Sequence, residues 1–225
     1  MSEHMVALRP VRAAGFVASS SLLLAGASWA VRAAWEMRLA GAGKPSSGVP
    51  DQGDGRHRAS TSLEDGYHLA SSAGCVAAAV CAVAFLVWLG RVRANARLIS
   101  GETPRYNGFW VPFGWVVPIG NLWIPRAIIA DAYQDSAAGR RLPRVVNVWW
   151  VLWLIGTFSG VGLVCRNSTD QLIARAYDNV WPLVLSDLVL VGAAVAGTMV
   201  VQAVTRVQAE HDGEGLVHVA AGAHV

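Results

Sequence analysis

With 225 residues, 54% of them hydrophobic and only 15% charged, the chain falls short of the roughly 25% charged content usual in soluble domains. Its apolar residues stand in long uncharged runs, which is the pattern of bilayer-crossing helices and not of one large soluble core. The formal charge of +3 comes without a basic–aromatic platform, which sets nucleic acid aside, and the three cysteines lack the spacing of a disulfide framework or thiolate metal site.

Residues 1–12 form a short polar start with Arg9 and Arg12. Ala13–Val31 then runs 19 residues without a charge. A helix of that length is about 28 Å long, close to the hydrocarbon thickness of a bilayer. The first span is therefore placed over 13–34. The two arginines, the apolar core and Ala25-Gly26-Ala27 also fit a cleaved signal peptide, but the apolar run continues past that site to Val31. Residues 35–68 read as a flexible external loop. Within it, 41–62 holds five glycines, two prolines and charges of both signs.

The second span is expected over 69–90. Its first half is rich in Ser, Ala and Gly, which let helices approach closely in lipid. Arg91, Arg93 and Arg97 stop it. The segment 107–136 follows, with Trp110, Trp115 and Trp123 interleaved with Pro112, Pro118 and Pro125. Proline removes a backbone donor and clashes with the preceding turn, so three of them break a continuous helix. The segment is expected as a re-entrant or interfacial element, its irregular backbone satisfied by protein or water. Asn121 is expected to cap a short amphipathic helix that has Pro125 in its first turn and carries Arg126, Asp131 and Asp135.

The third span is placed over 145–165. Gly156 and Gly160 form a GxxxG pair there, a helix-packing signal. Residues 166–179 read as a short polar loop, 181–204 as the fourth span, and 207–225 as a mobile tail. Eight Lys and Arg residues lie between the second and third spans, so the positive-inside rule places that region and both termini in the cytoplasm.

Three blocks then carry a resemblance: Phe85-Leu-Val-Trp-Leu-Gly-Arg-Val-Arg-Ala-Asn95, Trp115-Val-Val-Pro118-Ile-Gly-Asn121-Leu-Trp123-Ile-Pro125, and Val148-Trp149-Trp150. Over about 70–206 the chain resembles the domain of unknown function 4328 family, multi-pass bacterial and mostly actinobacterial membrane proteins. It departs at Gly90, where an aromatic residue is expected. The resemblance implies an all-α domain of four transmembrane helices in the bacterial cytoplasmic membrane. It implies no activity, so no catalytic residue is carried over.

Asp187 is the sharpest single candidate, an acid about a turn and a half inside the fourth span, where a lone carboxylate is expensive. Its place near a helix start offers a plainer account through the helix dipole. Asn121, Trp115, Pro118, Trp123, Pro125, Asn95 and Arg126 are candidates from the blocks that carry the resemblance and the segment after them, and Gly156 and Gly160 are candidates for packing. No nucleophile motif, metal site or cofactor site is present, and His68 has no second intramembrane histidine to oppose it across a haem. The sequence therefore points to a non-enzymatic accessory, scaffold or sensor protein, with the lipid bilayer and a membrane protein or a second copy as partners. The alternative is a small transporter or ligand-binding module that uses the broken segment and Asp187.

Overall fold

A computed structural model describes residues 8–48, 59–117, 119–137, 139–161 and 168–222. Among these residues the secondary structure is helical throughout, with no strand. The α-helices are α1 (Arg12–Ala42), α2 (Ser62–Ser100), α3 (Trp110–Val116), α4 (Ile124–Ser136), α5 (Arg144–Gly156), α6 (Thr169–Asp178) and α7 (Trp181–Gly222). A 3-10 turn over Gly120–Leu122 precedes α4, and a π-helical turn over Thr157–Val161 continues α5. Among the described residues, three helices are long and apolar enough to cross a membrane: Arg12–Ala42, Ser62–Ser100 and Trp181–His211. The expected third span, 145–165, is described only as far as Val161.

Local chemistry sets the helix ends. The first helix runs past 34 to Ala42, through residues expected as loop, and stops where Gly43 takes φ +74° and its N–H bonds Leu39 O at 3.1 Å. The second begins at Ser62, seven residues ahead of the expected start, because Thr61 and Glu64 form a capping box. Glu64 N–H donates to Thr61 Oγ1 at 3.3 Å and Thr61 N–H to Glu64 Oε2 at 2.8 Å. The middle of the expected loop, 49–58, lies outside the described residues. Residues 169–178, read as a loop, form α6, opened by a second capping box between Ser168 and Gln171 and burying Leu172, Ile173, Ala174 and Ala176. The last helix continues through most of the expected tail to Gly222.

The chain divides into two compact units. One comprises the described parts of Met1–Ser20, Ala82–Asn147 and Gly197–Val225, the other Ser21–Cys81 and Val148–Ala196. In the first, Gly15 admits Thr205 so closely that a Cβ would lie 2.6 Å from its Oγ1. Trp88 Nε1 donates to the same Oγ1 at 3.0 Å. Buried Gln208 donates to Val92 O at 2.8 Å and Ser136 Oγ at 2.9 Å, and His211 Nε2 sits 2.8 Å from Ser136 O. These contacts explain why the helix persists beyond 204.

In the second unit the core gathers Ala33, Leu39, Tyr67, Leu172, Ile173, Ala176, Val180, Leu183 and Val184. Trp35 lies across Gly66, where a Cβ would fall 2.3 Å from Cζ2, and its Nε1 donates to Leu63 O at 2.8 Å. Only glycine permits that approach.

Candidate functional site

The most polar part of the second unit is also its most buried. Asp187, in the second turn of α7, is fully buried, and so is Glu36. Arg32, 6% exposed, lies between them. Its Nε donates to Asp187 Oδ2 at 2.8 Å and its Nη2 to Asp187 Oδ1, a bidentate pair. Glu36 stands one helical turn after Arg32 with Oε1 3.7 Å from Arg32 Nε, and it accepts from Tyr67 Oη at 2.9 Å. The Trp29 ring covers the guanidinium from 4.3 Å. One turn before Tyr67, buried Glu64 accepts from Tyr177 Oη at 3.0 Å.

The arrangement answers the cost that singled out Asp187. A buried charge is tolerated when it is paired and hydrogen-bonded, and the guanidinium fork matches a carboxylate in both respects. The sequence does not point to this partner, because Arg32 follows an uncharged run and stands near the expected end of the first span at 34. The Arg32–Glu36 spacing and the Thr61–Glu64 capping pattern were the signals that these charges belong to helices.

The remaining candidates divide between the units. Gly156 receives Leu190, whose Cδ2 would stand 2.5 Å from an added Cβ, so the glycine works as a packing position. Gly160 falls in the π-helical turn, where Ser159 Oγ donates to Ile155 O at 2.6 Å and meets Ser186 Oγ at 3.3 Å.

In the first unit, buried Asn95 forms a reciprocal pair with the backbone of Arg9. Arg9 N–H donates to Oδ1 and Asn95 Nδ2 to Arg9 O, both at 2.9 Å. Trp115 meets Phe85 edge to face with centroids 5.7 Å apart. Pro118 lies outside the described residues. Pro125 sits in the first turn of α4 as expected, but Asn121 does not cap that helix. Its own N–H bonds Val117 O at 2.7 Å and holds it inside the 3-10 turn, while Trp123 takes the N-cap position without a side-chain bond. Arg126 donates through Nε to Asn147 Oδ1 at 2.9 Å. Asp187 and Asn121, paired in the transporter reading, belong to different units.

Also in the first unit, Arg93, Pro104, Tyr106, Ile128, Asp131 and Asp135 line a shallow cleft. Partial burial holds the Asp131 carboxyl above the usual aspartate range despite Arg105, and Asp135 is raised by burial and by the charges of Asp131 and Glu102.

The family model described as domain of unknown function (DUF4328) matches residues 55–206, which takes in the second span, the Pro/Trp segment and Asp187. No curated protein and no solved structure matches the chain. A match over more than half of its residues places the chain in the domain of unknown function 4328 family.

Proposed function

We propose that the protein is a non-enzymatic, multi-pass component of the bacterial cytoplasmic membrane with an accessory, scaffold or sensor role, seated at the cytoplasmic interface by α3 and the turn after it. The observation that carries this reading is the outward apolar face of that segment. Phe109, Phe113, Val116, Ile119, Leu122 and Trp123 are all exposed, Val116 to 74% and Ile119 to 68%. Behind them α4 buries Ile124, Ile128, Ile129, Ala132 and Tyr133, so the segment is anchored by one face and exposed on the other. Gly114 makes the anchoring close, since a Cβ there would lie 2.9 Å from Ile124 Cγ2. A contiguous apolar strip of this kind is costly in water and marks a membrane or protein contact.

The arginines at 105, 126, 140, 141 and 144 flank the strip in sequence and favour the anionic cytoplasmic leaflet. In this topology α5 and the π-helical turn begin a fourth crossing. The transporter reading has less support, because Asp187 is engaged by Arg32 and Phe109, Phe113 and Trp123 of the segment are exposed.

The test uses Ile119→Cys carrying a polarity-sensitive fluorophore in the protein reconstituted in nanodiscs. Blue-shifted emission, quenched by lipid-borne and not by aqueous quenchers, is the expected result; water-like emission overturns the interfacial seat. Reporter fusions at Gly53 and Gly139 test the orientation, and an external Gly139 rejects it.

A further inference from the structure

The buried cluster of the second unit holds two carboxylates against one guanidinium. Asp187 takes both of the short bonds from Arg32. Glu36, fully buried, keeps one hydrogen bond, from Tyr67 to Oε1. Its Oε2 is enclosed by protein and meets no donor among the described residues. An ionised carboxylate accepts through both oxygens, so a bare Oε2 beside a guanidinium whose short bonds both go to Asp187 is a poor place for a negative charge. A neutral carboxyl at the same place leaves only one hydroxyl unsatisfied, a far smaller loss.

We propose that this cluster is a proton-binding site, with the proton held on Glu36 Oε2 at neutral pH and the neighbouring Arg32–Asp187 pair remaining ionised. Asp187 is the weaker candidate for the proton because it receives two charge-assisted bonds, which favour its ionised form. The groups that act on Glu36 are Arg32 of its own helix, Tyr67 of α2 and Asp187 of α7. Glu64, the other buried glutamate among the described residues, has both oxygens occupied, by Thr61 N–H and by Tyr177. Protonatable acids inside membrane helices are the groups through which such proteins relay protons or respond to them. The inference concerns the second unit alone and stands independently of the interfacial seat of α3.

Infrared spectroscopy of the full chain in liposomes at neutral pH, with and without glutamate labelled at the side-chain carboxyl carbon with carbon-13, tests the proposal. The expected result is a protonated-carboxyl band that shifts on glutamate labelling, vanishes in Glu36→Gln and persists in Glu64→Gln. Absence of a label-sensitive band in the wild-type protein overturns it. So does a band lost in Glu64→Gln, or one insensitive to the label and lost in Asp187→Asn. Should Glu36→Gln fail to fold, the band is read in Glu36→Asp, where it is expected to lose its glutamate-label shift; a band that still shifts with the glutamate label overturns the proposal.

Discussion

Replacing Asp187 by asparagine in a Glu36→Gln background strips Arg32 of both of its carboxylates. The guanidinium then lies 6% exposed with the Trp29 ring as its remaining electrostatic partner in the cluster. Removing one side of a buried ion pair costs about 3–5 kcal/mol, because the other charge is left uncompensated. Asp187→Asn alone is expected to cost less. Glu36 Oε1 already stands 3.7 Å from Arg32 Nε, and by releasing its proton Glu36 becomes the replacement counter-ion. The two substitutions are therefore non-additive, and the double variant is worse than the sum of the singles. Reversible unfolding in mixed micelles, followed by circular dichroism, measures all four corners of the cycle. The triple variant Arg32→Met, Glu36→Gln, Asp187→Leu is expected to recover most of the loss, since apolar residues of similar volume replace buried ion pairs at little cost. A difference between Glu36→Gln and the double variant below about 1 kcal/mol, the range of exposed pairs, refutes the assignment of Arg32 and Asp187 as a buried pair.

Four further expectations rest on other parts of the molecule. Gly66→Ala drives a methyl group into Trp35 and is expected to destabilise by about 1–3 kcal/mol. Gly90→Ala, where an added Cβ meets nothing within 4 Å, is expected to stabilise α2 by about 0.5–1 kcal/mol, and the same unfolding assay separates the two. Asn95→Ala removes both bonds to the Arg9 backbone at a cost of about 1–3 kcal/mol, visible as faster hydrogen exchange at the Arg9 amide. Asp135 titrates above the ordinary aspartate value in the folded protein, so the folded state holds its proton more tightly than the unfolded one. Its contribution is present in full below about pH 3.9 and lost as pH rises through the folded value. Asp135→Asn is accordingly expected to raise the melting temperature at neutral pH and to reduce that loss; an unchanged pH profile counts against the cause given.

Much of the helical plan was legible in one dimension. The uncharged run from Ala13 to Val31, the apolar run over 69–90 and the restart at Trp181 are consequences of composition, and α1, α2 and α7 contain them, but α2 passes the expected stop at Arg91 and ends at Ser100. The prolines at 112 and 125 likewise announced a broken segment, and α3, the 3-10 turn and α4 are its pieces. Helix ends were misjudged wherever charge was taken as the end of a helix. Arg32 and Glu36 lie inside α1, whose end is set by Gly43, and Thr61 with Glu64 starts α2 well before the apolar run begins. Capping is a local hydrogen-bond matter, and its residue patterns were present in the sequence at Thr61-x-x-Glu64 and Ser168-x-x-Gln171.

The sequence by itself determined that the chain forms long apolar helices, that Asp187 lies within the apolar run of the last of them, and that the middle segment cannot be one continuous helix. Only the tertiary structure decided what that acid meets. Arg32 and Asp187 are 155 positions apart, and no periodicity or spacing connects them. Whether a charge inside an apolar helix is a defect, a pair or a binding site depends on the face that another helix turns toward it. That is a property of packing, because the energy of a buried charge is set by the groups a few ångströms away and not by its neighbours along the chain.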